Sequence, residues 1–168
     1  CCIQGYAEVG KSYLLKALKD AYEERGLNVR SFGPDNATAN VLKEKGFASA
    51  ENLYRFLYSH KHGLRNLHKG FEVWVLDEAG KVRNKPLLEF LKLAEKKGVK
   101  VILAGDSSQL SPVDRGEAFK YFCSRYQTET LESIQRQKDE LSRSMAKDLA
   151  LGTKGESLDK LSAKGSIK

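Results

Sequence analysis

Long hydrophobic runs are missing from this chain. No apolar stretch approaches the roughly 18 residues a membrane-crossing helix requires, and no secretory signal pattern opens it. Cysteine is also scarce. Cys1, Cys2 and Cys123 form no CxxC pair and leave one thiol over, which argues against a disulfide framework or a zinc ribbon and for a reducing, cytoplasmic setting. His60, His62 and His68 have no carboxylate or cysteine beside them at ligand spacing, so they read as part of a solvated basic loop from Ser59 to Gly70. Internal repeats and low-complexity blocks are lacking too, which argues against a solenoid.

What remains has the composition of an ordinary globular domain: 168 residues, 40% hydrophobic and 30% charged. The 29 basic and 22 acidic residues give a net charge of +7, compatible with a polyanionic partner and equally with a solvated basic surface. The opening Cys1-Cys2-Ile3 carries no Met and reads as the tail of a buried strand, so the chain is expected to be part of a longer polypeptide.

Short β-rich apolar runs alternate with longer amphipathic ones, which predicts an α/β fold with a mostly parallel central sheet and helices on both faces. Strands are expected at Cys1–Gln4, Asn28–Phe32, Phe71–Leu76, Val99–Ala104 and near Gln127–Leu131. Helices are expected at Lys11–Glu24, Ala37–Lys45, around Leu53–Leu57, at Lys85–Lys97 with Asn84 as N-cap, near Glu117–Tyr121, and from Asp139 to Leu149. Beyond Gly152 the sequence turns rich in Lys, Ser and Gly. The domain is therefore placed at 1–150 and a flexible basic tail at 151–168.

Three segments carry chemistry. Gly5-Tyr6-Ala7-Glu8-Val9-Gly10-Lys11-Ser12 fits G-x-x-x-x-G-K-[ST] between a strand and a helix. In such a P-loop the backbone N–H groups of Gly5, Ala7, Val9 and Gly10 turn toward the phosphates of a nucleoside triphosphate. Lys11 reaches the β- and γ-phosphates, and the Ser12 hydroxyl ligates magnesium. Glu8 places a carboxylate inside this loop, and like-charge repulsion is expected to weaken nucleotide binding; ATP titration of Glu8→Gly measures that effect. Asp77-Glu78 follows the apolar run Val73-Trp74-Val75-Leu76, so both acids sit at the carboxyl end of a strand. Asp77 is expected to hold magnesium and Glu78 to orient or deprotonate the attacking water. Gly105 through Val113 follows the next strand, and its Gln109 amide is placed to report the γ-phosphate.

With these motifs in order, the chain resembles superfamily 1 helicases, specifically the RecD-like branch (1B), and within it the helicase part of TraI-type conjugative relaxases. GYAEVGKS resembles motif I, LDEAG motif II and LAGDSSQLSPVDRGEAF the motif III region. Ser31-Phe32-Gly33-Pro34 through Phe56-Leu57 is similar to the motif Ia region, and Leu131 through Gln137 to motif IV. The likeness runs from about Ile3 to Leu149.

The resemblance implies a RecA-like P-loop NTPase fold, with Lys11, Ser12, Asp77, Glu78, Gln109 and Arg136 forming the site for ATP and Mg2+. Arg136 would stabilise charge building on the γ-phosphoryl group. The implied partners are single-stranded DNA, along a path lined by the segments around Pro34 and Pro112, a second RecA-like domain following the tail, and a relaxase domain in the same polypeptide. Arg65, His68 and Lys69 are further candidates for the DNA path. The implied activity is ATP hydrolysis coupled to translocation on DNA during conjugative transfer. One departure stands in the motif Ia region: Asp35 occupies the place of a phosphate-contacting hydroxyl, and a carboxylate there is expected to repel the DNA backbone. With Glu8, this leaves room for a second reading, a vestigial noncatalytic DNA-binding module. A small-molecule kinase or GTPase fits less well, since no guanine-recognition NKxD signature and no arginine-rich lid is present.

Overall fold

The computed structural model describes residues 1–5, 10–64, 71–106, 117–126 and 128–131. Six strands form one sheet: β1 (Cys2–Gly5), β2 (Asn28–Gly33), β3 (Glu51–Asn52), β4 (Glu72–Leu76), β5 (Lys100–Gly105) and β6 (Thr128–Leu131). Their order is β3-β2-β4-β5-β1-β6, and every pairing is parallel. Among the described residues five α-helices accompany them: α1 (Lys11–Glu23), α2 (Asn36–Glu44), α3 (Leu53–Lys61), α4 (Asn84–Lys97) and α5 (Glu117–Arg125). No helix among the described residues is long and apolar enough to cross a membrane.

The two-residue period of the strands sorts the core into two layers. Ile3, Val29, Val73, Val75, Ile102 and Ala104 point to one face, where Leu14, Leu15, Leu18 and Tyr22 of α1 and Leu42 of α2 cover them. Cys2, Phe32, Trp74, Leu76 and Leu103 point to the other, under Phe56 of α3, Phe90 of α4 and Phe119 of α5. Helices therefore lie on both faces, as the alternating pattern predicts. The second layer is aromatic at its centre. Phe56 meets Trp74 edge-on at 5.2 Å and Phe90 stacks on Trp74 at 5.3 Å, geometries that add to the burial of these rings.

Several sequence expectations shift. Strand β3 is too short to announce itself, two residues held by pairing to Phe32 and Gly33. The expected basic loop begins later than Ser59, because α3 runs through Ser59 and His60 to Lys61. Asn84 does not cap α4 but begins it. The cap position belongs to Arg83, and the Asn84 amide oxygen accepts from the Ala118 backbone N–H at 3.1 Å, tying α4 to α5. The expected helix from Asp139 to Leu149 and the tail at 151–168 lie outside the described residues.

Close backbone approach places the end of β5 beside the turn that follows β4. A Cβ on Gly105 would stand 3.0 Å from the Phe119 ring and 3.1 Å from the Gly80 backbone nitrogen, tighter than ordinary packing allows. Glycine at 105 lets the two strand tips meet.

Candidate nucleotide site

Open parallel sheets bind ligands at the carboxyl ends of their strands, and the candidate residues gather there. A cleft of ≈ 610 Å³ is lined by Gly10, Lys11 and Ser12 at the start of α1, by Asp77 and Glu78 after β4, and by Thr38, Val41 and Lys45 of the α2 segment. Lys81 completes its wall.

The α1 side is built from the turn out of β1. Gly10 adopts φ 86° and ψ 14°, a left-handed conformation a side chain would resist, and hands the chain directly into the helix. Among the described residues no side chain caps this helix start, whose positive dipole end suits an anion. Lys11 is buried, and its ammonium donates to the Gly5 carbonyl at 2.6 Å. That contact staples the two ends of the loop.

The β4 side is more strained. Strand pairing continues past Leu76, for the Asp77 N–H donates to the Phe32 carbonyl at 3.0 Å and fixes the Asp77 backbone on the sheet. Glu78 then turns to φ 52° and ψ 38°, and it is the one non-glycine residue with positive φ among those described. Such a conformation costs on the order of 1–3 kcal/mol and is held by its surroundings. It lets the Glu78 N–H donate to Asp77 Oδ1 at 2.9 Å, which orients the carboxylate.

Asp77 is 8% exposed. Burial pushes its carboxyl pKa upward, more than the Glu78 N–H and the Lys11 and Lys45 ammonium groups pull it back, and the Glu78 carboxylate adds to the rise. The Glu78 carboxylate itself lies 3.6 Å from the Lys81 ammonium. A carboxylate and a hydroxyl, Asp77 and Ser12, lining the same cleft are the hard oxygen donors magnesium takes. Lys11 and the positive helix end supply the matching charge for phosphates, so the residues present fit a magnesium–triphosphate.

Of the sequence-selected residues, the fold thus brings Gly10, Lys11, Ser12, Asp77 and Glu78 to one cleft, with Gly5 tied to it through Lys11. Ala7, Glu8, Val9, Gln109, Pro112 and Arg136 lie outside the described residues, as do Arg65, His68 and Lys69. Asp35 has a local task that its sequence position does not reveal. It is the N-cap of α2, its carboxylate accepting from the Thr38 N–H at 2.7 Å, and that bond holds its pKa below the usual carboxylate range. Lys45, Lys81 and Thr38 escaped sequence reasoning. A lysine ending a helix is ordinary, and only the packing of α2 beside α1 reveals where this one reaches.

The AAA domain family model matches residues 1–168. The conjugal transfer protein TraA of Rhizobium radiobacter is 32% identical over 150 residues, covering 89% of this chain and 14% of that protein. A probable conjugal transfer protein TraA of Sinorhizobium fredii is 31% identical over 161 residues, covering 96% and 14%. The ATP-dependent RecD2 DNA helicase of Deinococcus radiodurans is 32% identical over 117 residues, covering 68% and 16%. The chain thus spans about a seventh of the TraA proteins it matches. With a parallel sheet, a cleft at its carboxyl edge and these relatives, the chain belongs to the AAA domain family and is related to the TraA conjugal transfer proteins and the RecD2 helicase.

Proposed function

We propose that this chain is the ATP-binding motor domain of a DNA helicase, the first of two RecA-like domains in a larger cytoplasmic protein of conjugative DNA transfer. One observation carries the reading. Two segments 66 positions apart, counting from Lys11 to Asp77, place an ammonium, a hydroxyl and two carboxylates around a single cleft at the sheet's carboxyl edge. Lys11 leaves the Gly5 carbonyl to bind the β- and γ-phosphates. Ser12 and Asp77 would hold magnesium, which would neutralise charge on the phosphate oxygens. Glu78, already turned into the cleft by its left-handed backbone, orients or deprotonates the attacking water. Gln109 reports the γ-phosphate and Arg136 stabilises the charge that develops on it.

Single-stranded DNA, the second RecA-like domain and a relaxase domain are the proposed partners, in keeping with the TraA and RecD2 relatives. The vestigial-module reading drew on Asp35 and Glu8. Asp35 is engaged in capping α2, which weakens that argument. The test is the ATPase activity of the two-domain protein with and without single-stranded DNA. Strong stimulation is expected, and an ATPase indifferent to DNA would overturn the motor reading.

A further inference from the structure

The Lys45 side chain reaches from the end of α2 into the cleft and donates to Ser12 Oγ at 2.8 Å. Its backbone is fixed as the C-cap of the helix, the N–H donating to the Val41 and Leu42 carbonyls at 3.1 Å each, so the reach of the ammonium is set by the fold. From there it shares the cleft wall with the Asp77 carboxylate. One cation thus binds Ser12 and lines the same cleft as Asp77, the two groups that the nucleotide reading makes magnesium ligands. The Ser12 oxygen has two lone pairs, and an ammonium on one of them sets a positive charge 2.8 Å from the oxygen that a dication would have to approach.

We propose that Lys45 is a built-in cation that competes with the divalent metal for Ser12 and Asp77, so that metal entry requires the lysine to withdraw. The inference rests on the assignment of Ser12 and Asp77 as the metal side of the site. An ammonium is a plausible competitor because it is a compact point charge on a flexible stem that can swing away without disturbing the fold. Lys45 is exposed, so the exchange takes place at the mouth of the cleft, where water can hydrate the displaced ammonium. Lys11, by contrast, is buried and its ammonium meets the Gly5 carbonyl rather than Ser12. The consequence is a site that holds its acid and its hydroxyl in place beforehand, at the expense of weaker intrinsic metal affinity.

The test uses Mn2+ alone as probe, with bound and free ion distinguished by electron paramagnetic resonance. Lys45→Met keeps the aliphatic stem and removes the charge. It is expected to bind Mn2+ about three- to tenfold more tightly than the parent chain, the size of one partly exposed charged hydrogen bond. Lys45→Arg should restore the weaker binding, and adding Ser12→Ala to Lys45→Met should abolish most of the gain. Circular dichroism of each variant verifies the fold.

Equal Mn2+ affinity in parent and Lys45→Met overturns the proposal, as does a gain that survives loss of the Ser12 hydroxyl. A Lys45→Met that gains nothing for Mn2+ but loses affinity for ADP would make Lys45 a phosphate ligand instead, which also overturns it. ADP titration of the parent and Lys11→Ala separately examines the nucleotide reading, so either idea can fail without the other.

Discussion

The Lys11 ammonium sits 2.6 Å from the carbonyl oxygen of Gly5, six residues back, so one hydrogen bond closes the loop at its base. The ammonium proposed to meet a triphosphate is thereby held by the strand that precedes it. Lys11→Met removes both the loop staple and the phosphate donor. It also relieves the cost of burying an ammonium, so the melting temperature is expected to change little while ADP affinity falls by about 100-fold, the scale of one or two buried charged hydrogen bonds. Calorimetric titration and thermal unfolding of the same samples read the two effects. Undiminished ADP binding would count against the site.

Asp35 offers a test of local structure free of the nucleotide. Its carboxylate caps α2, and Asp35→Ala is expected to lower stability by about 1 kcal/mol, with Asp35→Thr recovering most of it. The sign of the pH dependence follows from the cause. The Thr38 N–H lowers the folded pKa, so the carboxylate contributes above its unfolded pKa and loses that contribution as pH falls through the lowered folded value. The gap between parent and Asp35→Ala should therefore close in acid. Denaturant melts at neutral and acidic pH would show it, and a gap that widens in acid would refute the capping account.

Asp77 carries the opposite sign. Burial raises its folded pKa, so its ionised form is less favourable folded than unfolded, and the protein loses stability as pH rises from the unfolded value of about 3.9 through the raised folded one. Asp77→Asn keeps an oxygen for the Glu78 N–H and removes the charge. The variant should melt higher than the parent at pH 7, with the difference vanishing below the unfolded pKa, while magnesium ceases to strengthen ADP binding. A variant that melts lower at pH 7 would mean the carboxylate's contacts outweigh its burial.

Glu78 pays for its position in backbone strain. Glu78→Gly removes that strain but adds chain entropy to the unfolded state, so the net gain in stability is expected to be no more than about 1 kcal/mol. ATP turnover by the two-domain protein should fall sharply, because the carboxylate is gone. Glu78→Gln should also lose turnover, yet show no gain in stability. If Glu78→Gly proves less stable than Glu78→Gln, the strain is not relieved by glycine.

Much of this architecture is legible in the residues. Val73 to Leu76, apolar at every position, suits a strand buried on both faces, and Asp77 and Glu78 then fall at its end. The spacing of the glycines and Lys11-Ser12 raises the expectation of a phosphate loop. Lys45 is different, because its role depends on how α2 packs beside α1, and no local pattern encodes a contact across 33 positions. The same holds for Asn84, whose sequence position reads as a helix cap but whose amide is drawn to α5. Asp35 adds a local role to the one its family position suggests, because its carboxylate takes up the orphan Thr38 N–H at the start of α2.

Trp74 is the chain's single tryptophan, fully buried and three residues ahead of Asp77. All indole emission therefore originates from one dry, ring-lined position on the strand that presents the acidic pair. Its Nε1–H is anchored to Glu72 Oε2 at 2.8 Å, so the fluorophore has one defined environment. Opening of the sheet would admit water to that ring and move its emission to longer wavelength. The molecule thus carries its own optical probe, without a dye or an added label, on the strand that ends in the acidic pair.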